Sequence, residues 1–257
     1  MNSLTHRIEP PLSSLYDTKA EKYAKYRWDY AAQAIAALFD TADVSLQTVV
    51  ADLGAGTGIL TRYFVGKTKL VYALEPEDEM RGVLERVFSG NRFCQIINGS
   101  AEHSGLAAHS VDLISVGQAI HWFEPEAARK EFLRILKPAG WLALLRNYGT
   151  DPVYEKAVGQ LFEKFSKPEP AARISRQPLS FYFGNDSYQK LLFPFEYTLD
   201  WEYFLGSLMS SAFMPDENSP NYAEFESSAR EVFDCLSQDG LLTSTGATEL
   251  FLGAITA

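Results

Sequence analysis

Three glycines stand at alternate positions, Gly54, Gly56 and Gly58, in the stretch VVADLGAGTGILTRYF (residues 49–64). A β-branched apolar run and an acid, Asp52, lead into them. Glycine permits a tight bend and lets a ligand lie against bare backbone. Such a turn at the carboxyl end of a parallel strand is where open α/β sheets hold small ligands. A helix beginning near Thr57 adds free N–H groups and a partial positive charge. Spacing narrows the choice of ligand. A dinucleotide fingerprint, G-x-G-x-x-G, would need its third glycine at position 59, which is Ile59. A phosphate-binding P-loop would need Gly-Lys-Ser/Thr where this chain has Gly58-Ile59. Glu75 closes the next apolar run, where a carboxylate can accept both hydroxyls of a ribose. A carboxylate disfavours neighbouring phosphates, so the pattern points to an adenosine ligand without them.

A second chemical residue is His121, just past a later apolar run and followed by Trp122 and Phe123. An imidazole there can act as a general base, and the aromatic pair can wall a substrate pocket. His103 and His109 read as loop residues without a role. The acids Glu75, Glu77, Asp78 and Glu79 read as the charged start of a helix, not as a metal site.

These residues need strands and helices to position them. QTVVADL, KLVYALE (69–75), RFCQIIN (92–98), VDLISVG (111–117) and WLALLRN (141–147) read as strands. GILTRYFVG reads as a helix leaving the glycine turn. PEDEMRGVLERVFS reads as an amphipathic helix, and PEAARKEFLRILKPAG as a helix stopped by Pro138 and Gly140. The alternation implies βαβ units and a parallel sheet covered on both faces. Residues 18–40 read as helical, and residues 1–17 as a loose Pro/Ser-rich arm. Beyond 150 the pattern predicts a helix in VYEKAVGQLFEKFSK and strands in FEYTLDWEYF and TELFLGAIT. It also predicts a helix in YAEFESSAREVFDCLSQDG, closed by Gly240.

The expected architecture is a single α/β domain with a Rossmann-like, seven-stranded, mostly parallel sheet, helices on both faces and an α-helical cap. Residues 1–45 form an arm and helices that close the ligand site, 46–150 the binding core, and 151–257 the rest of the sheet with the cap. The net charge of −10 argues against a nucleic-acid partner. No apolar run approaches a membrane span. The N-terminus lacks the features of a secretory leader, and the two cysteines lack CxxC spacing. A cytoplasmic enzyme, monomer or homodimer, is the expectation.

D-L-G-A-G-T-G at 52–58, followed by L-E-P at 74–76, resembles the class I S-adenosylmethionine-dependent methyltransferases. YDTKAEKYAKYR (16–27), GSAE (99–102), VDLISVGQAIHWF (111–123), EFLRILKPAGWLALLRN (131–147) and SSAFMP (210–215) resemble one branch of them. That branch is the trans-aconitate-methyltransferase-like, type 11 group of small-molecule enzymes. The resemblance implies S-adenosyl-L-methionine as cofactor and methyl transfer to a small-molecule acceptor, at a carboxylate or hydroxyl oxygen. It implies that Gly54, Ala55 and Gly56 lie under the methionine part, with Asp52 bonded near the turn or to the amino group. Glu75 takes the ribose hydroxyls, Pro76 and Met80 pack near the adenine, and Ala101 and Glu102 border it. Gly117, Gln118 and Ala119 flank the sulfonium. Tyr23 and Arg27 close the site, Arg27 toward the methionine carboxylate. Acceptor choice falls to His121, Trp122, Tyr148, Tyr203, Ser211 and Phe213. Two places depart from the pattern: Trp28 stands where relatives usually have proline, and Ser100 where many have aspartate. The alternatives are a non-catalytic S-adenosylmethionine-binding module and a methyltransferase acting on a macromolecule.

Overall fold

The structure is a computed structural model that describes residues 18–167 and 177–256. The arm expected at 1–17 lies outside the described residues. The elements, in chain order, are α1 (Lys19–Tyr26), α2 (Ala32–Thr41), β1 (Val49–Leu53), α3 (Thr61–Phe64), β2 (Leu70–Leu74) and α4 (Asp78–Phe88). There follow β3 (Cys94–Ile97), β4 (Val111–Gly117), a 3-10 turn (Ile120–Trp122), α5 (Pro125–Ile135), β5 (Leu136–Gly149) and α6 (Pro152–Phe165). The chain closes with α7 (Leu179–Phe183), β6 (Gln189–Leu199), α8 (Trp201–Met209), α9 (Tyr222–Leu236) and β7 (Leu242–Ala254).

The strands form one sheet in the order β3-β2-β1-β4-β5-β7-β6. The ladders β2–β3, β1–β2, β1–β4 and β4–β5 are parallel, so the expected seven-stranded, mostly parallel α/β sheet is present. From β1 the chain builds outward to β2 and β3, then returns to place β4 on the other side of β1. That reversal puts a crevice at the carboxyl ends of β1 and β4. All five residues of β1 are buried, as a central parallel strand covered on both faces requires.

The described chain divides into two compact units. The larger holds 32–146, 177–193 and 248–256, and the smaller holds 18–31, 147–167 and 194–247. In the larger, Leu53, Ile114, Val116, Phe132, Leu142 and Tyr182 belong to one buried apolar cluster. In the smaller, Phe204, Phe225, Phe233, Leu208 and Met214 pack as a separate cluster with Tyr154 and Leu161.

Several boundaries differ from the sequence reading, four of them with a clear local cause. Residues 18–40 form two helices, because Arg27 takes an extended conformation (φ −77°, ψ 144°). In the smaller unit Trp28 then packs on Tyr197, with ring centroids 4.4 Å apart, and meets Phe195 edge-on. Helix α5 ends at Ile135, short of Pro138. The residue before a proline is pushed out of the helical region, and the chain pairs Leu136 with Val111 instead. The segment DWEYF is helical, not extended. The Asp200 side chain accepts the Tyr203 N–H as an N-cap, and Phe204 and Leu208 bury one helical face. Gly240 does not close α9, which stops at Leu236. Gln238 and Leu241 exchange backbone hydrogen bonds across Asp239 and Gly240, both at positive φ, as a two-residue hairpin turn demands.

One buried carboxylate ties the loop before β4 to α5. Glu131 accepts hydrogen bonds from the Ser104 N–H at 3.0 Å, from the Ser104 hydroxyl, and from Arg134 Nε and Nη2 at 2.7 and 2.6 Å. The Arg134 guanidinium, then Ser104, hold its carboxyl down to about 2. A depressed folded value stabilises the fold above the ordinary 4.5 and loses that contribution as pH falls toward 2. Glu131→Gln is therefore expected to destabilise the protein by about 1–3 kcal/mol at neutral pH. The difference from wild type should close between pH 4.5 and 2 in denaturant melts taken across that range.

Candidate active site

In the larger unit the chain leaves β1 through a turn in which Gly54, Gly56 and Gly58 all have positive φ. Two of them serve the packing of the chain. A Cβ on Gly54 would stand 2.6 Å from Ala119 Cβ, at the exit of β4. A Cβ on Gly58 would stand 2.6 Å from a Phe88 ring atom and 2.7 Å from Leu84 Cδ1, both on α4. Gly56 differs, because no heavy atom lies within 4 Å of where its Cβ would be. Its backbone is bare and approachable. The turn is tied by Ala55 N–H to the Leu74 carbonyl and Gly58 N–H to the Ala55 carbonyl, both at 2.9 Å. The helix expected from Thr57 starts only at Thr61 and lasts four residues. Gly58, at φ 91°, cannot continue a right-handed helix, so no helix end lies at Thr57.

Glu75 ends the neighbouring strand and is buried. Its Oε2 accepts the Gly56 N–H at 2.8 Å and its Oε1 accepts the Glu77 N–H at 2.9 Å. Burial pushes its carboxyl above the ordinary range. Each oxygen, with one bond made, keeps capacity for a further donor. Asp52 lies inside the sheet. Its Oδ2 accepts the Thr61 hydroxyl at 2.6 Å and its Oδ1 the Ser115 hydroxyl at 2.9 Å. Burial pushes it up to about 6. It joins β1, β4 and α3. The Thr57 hydroxyl, in the turn, is buried without a hydrogen-bond partner.

The start of α4 is closed by its own residues. Glu77 accepts the Met80 N–H, Arg81 donates to the carbonyls of Glu75 and Pro76, and Asp78 pairs with Arg81. Pro76 is exposed and Met80 half-buried. Beyond β3, Ala101 is buried, while Glu102 turns to accept the Glu124 N–H at 2.8 Å. Ser100 accepts the His103 N–H within its own turn. At the exit of β4, Gly117 pairs with Leu145. Gln118 holds φ 57° and donates its N–H to the Leu145 carbonyl, and Ala119 is buried. His121 and Trp122 share the 3-10 turn with ring centroids 5.1 Å apart. Trp122 is 47% exposed, whereas Phe123 is buried in the core.

The larger unit thus gathers Gly54–Gly56, Glu75, Pro76, Met80, Ala101, Glu102, Gly117–Ala119, His121 and Trp122 around the ends of β1–β4. The other expected residues stand in the smaller unit. The Arg27 guanidinium lies over the Tyr23 ring at 5.0 Å. Tyr203, on α8, meets Tyr26 edge-on at 5.3 Å, and Tyr148 is exposed. Ser211 is buried and its carbonyl accepts from Lys19 Nζ at 2.9 Å. The Phe213 carbonyl accepts the Lys167 N–H. Sequence reasoning missed Thr61 and Ser115 as partners of Asp52. The signal for Ser115 was a polar residue inside an otherwise apolar central strand, which needs a buried partner.

Residues 51–144 match the family model described as a methyltransferase domain (Methyltransf_11). Over 151 residues, 58% of this chain, the sequence is 38% identical to an uncharacterized methyltransferase, C25B8.09, of Schizosaccharomyces pombe. Over 136 residues, 49% of the chain, it is 33% identical to an uncharacterized methyltransferase, Rv3342, of Mycobacterium tuberculosis. The matches span 59% and 55% of those relatives' lengths. Among solved structures, the YcgJ protein of Bacillus subtilis superposes with a TM-score of 0.57 at 20% identity, covering 88% of this chain and 100% of that one. A candidate type II methyltransferase of Anaeromyxobacter dehalogenans superposes with a TM-score of 0.60 at 19% identity, covering 89% and 98%. The chain is therefore similar to methyltransferases in the sequence of its sheet core, and it shares its fold with these solved structures.

Proposed function

We propose that the protein transfers a methyl group from S-adenosyl-L-methionine to an oxygen, carboxylate or hydroxyl, of a small-molecule acceptor. The observation that carries the cofactor is the open face of Gly56 next to the Glu75 carboxylate. A bare amide backbone and a carboxylate with unused acceptor capacity suit an adenosine free of phosphates. The methyltransferase-domain match over residues 51–144 supports the same reading.

When bound, this cofactor supplies a sulfonium methyl that is already activated toward a nucleophile. Glu75 accepts the ribose hydroxyls while retaining the Gly56 and Glu77 amides. Gly54 and Ala55 present backbone to the amino-acid part, Pro76, Met80, Ala101 and Glu102 border the base, and Gly117–Ala119 flank the reacting region. Asp52 supports the turn from beneath. Tyr23 and Arg27 serve the amino-acid end, where a guanidinium suits a carboxylate. The protein's main catalytic task is alignment, which contributes up to about 7–11 kcal/mol in well-oriented cases. An ionised carboxylate acceptor needs no base. A hydroxyl acceptor loses a proton, and His121 is the group to receive it, with Trp122 shielding the site from water. Tyr148, Tyr203, Ser211 and Phe213 select the acceptor. The branch is that of the trans-aconitate-methyltransferase-like enzymes, working in the cytoplasm as a monomer or homodimer without nucleic acid or membrane.

Calorimetry should show binding of S-adenosylmethionine and S-adenosylhomocysteine but not NAD, and a labelled-methyl screen over small acids and phenols should yield product. Binding without transfer to any of them would instead describe a non-catalytic module or a methyltransferase with a macromolecular acceptor. Glu75→Ala is expected to weaken both adenosine ligands by at least about tenfold, a loss of roughly 1.4 kcal/mol. Unchanged affinities would remove the ribose assignment. His121→Ala should leave transfer to a carboxylate intact and abolish transfer to a hydroxyl.

The glycines separate packing from binding. Gly58→Ala should lower the melting temperature strongly, since its methyl collides with Leu84 and Phe88. Gly56→Ala should cost only the backbone strain of about 1 kcal/mol yet weaken S-adenosylhomocysteine binding. Equal affinity in the folded Gly56→Ala protein would place the ligand elsewhere.

A further inference from the structure

Within the smaller unit, two hydroxyls are buried without a well-formed hydrogen bond: Tyr197 on β6 and Ser244 on β7. The strands are neighbours in the sheet, and Ser244 is only 2% exposed. The two hydroxyls lie close to one another and to that of Tyr154 on α6, itself buried. A buried hydroxyl without a well-formed hydrogen bond is costly, and native structures hold few. Two side by side call for an explanation.

Their surroundings indicate what they are for. The Arg27 guanidinium is near enough to act electrostatically on Tyr154. Arg27 is exposed and forms no ion pair among the described residues. Burial pushes Tyr197 up to about 12 and raises Tyr154 as well; the Glu155 carboxylate adds to both and Asp151 adds to Tyr197, while the contacts of Tyr197 with the Ser244 and Tyr154 hydroxyls oppose its rise. Both phenols therefore keep their protons and remain donors at neutral pH. Two phenols, a serine hydroxyl and a guanidinium form a set of donors whose natural complement is an acceptor with several lone pairs and a negative charge. Trp28 covers Tyr197 at 4.4 Å. It lies in the short segment between α1 and α2, outside any helix or strand, so the indole against Tyr197 is carried on a non-repetitive stretch.

We propose that Tyr197, Ser244, Tyr154 and Arg27 form a carboxylate-recognition site beneath Trp28. Two sources can supply that group, the acceptor or the amino-acid end of the cofactor. The inference deepens the proposed function by naming the acceptor as a carboxylate in the first case, and to that extent rests on it.

The test uses the full chain, with succinate, its uncharged diamide succinamide, and S-adenosylhomocysteine as probes. Tyr197→Phe and Ser244→Ala remove hydroxyls that make no well-formed hydrogen bond, so each ligand-free variant should melt no lower than wild type, which also shows that it folds. Succinate, not succinamide, should raise the wild-type melting temperature. The two variants should lose that rise while binding S-adenosylhomocysteine as before, which assigns the site to the acceptor; Arg27→Gln should lose the rise as well. Weakened S-adenosylhomocysteine binding by about tenfold or more in the same variants, with no response to succinate, assigns it to the cofactor. The proposal is overturned if the variants retain both the succinate response and the S-adenosylhomocysteine affinity of wild type, or if wild type answers to neither probe. A wild type that responds to succinate but does not bind S-adenosylhomocysteine defeats the methyltransferase reading and leaves the carboxylate site standing.

Discussion

The arrangement at the carboxyl edge depends on one buried carboxylate shared between two backbone amides. Glu75 holds the Gly56 N–H with one oxygen and the Glu77 N–H with the other. The first bond fixes the middle of the glycine turn, and the second fixes the approach to α4. A charged acceptor makes stronger hydrogen bonds than a neutral one, and burial removes the water that would compete. The same residue therefore fixes the turn and keeps acceptor capacity beside the open face of Gly56. Neither role interferes with the other, because a carboxylate can accept about four hydrogen bonds and only two are used internally.

Around this point the glycines divide the labour. Gly54 lets the end of β4 approach through Ala119, and Gly58 lets α4 pack through Leu84 and Phe88. Gly56 alone faces open space. The spacing G-x-G-x-G is thus two close-packing requirements with one exposed amide between them. Asp52, below the turn, completes the assembly by bridging Thr61 and Ser115. The site is held by hydrogen bonds among three strand ends rather than by a long helix pointing into it.

Much of this was legible in the residues, for reasons that can be named. The parallel core was readable because its strands are short apolar runs bounded by turn residues, and Asp52, the glycines and Glu75 sit at the ends of such runs. The errors arose where one local rule met a stronger one. Gly240 looked like a helix terminator, but the Asp239-Gly240 pair serves a hairpin that pairs Gln238 with Leu241. DWEYF was aromatic enough to read as a strand, yet Asp200 caps a helix there. Helix α3 is shorter than the run GILTRYFVG suggests, because apolar periodicity says nothing about the left-handed backbone of Gly58. An acceptor pocket is the least legible part of such a sequence, since side chains brought together from distant segments leave no trace in spacing. The hydroxyls of Tyr154, Tyr197 and Ser244 come from three such segments.

Asp52 has a thermodynamic consequence of its own. Its carboxyl is raised from 3.8 to about 6, so the native chain holds this proton more tightly than the unfolded chain does. Its contribution is full below 3.8 and fades as pH climbs through 6. At neutrality the ionised group is a liability to the native state, offset by the rest of the core. Mild acid relieves it, so refolding in that window draws a proton out of solution. At this one position the molecule is more at ease in vinegar than in blood.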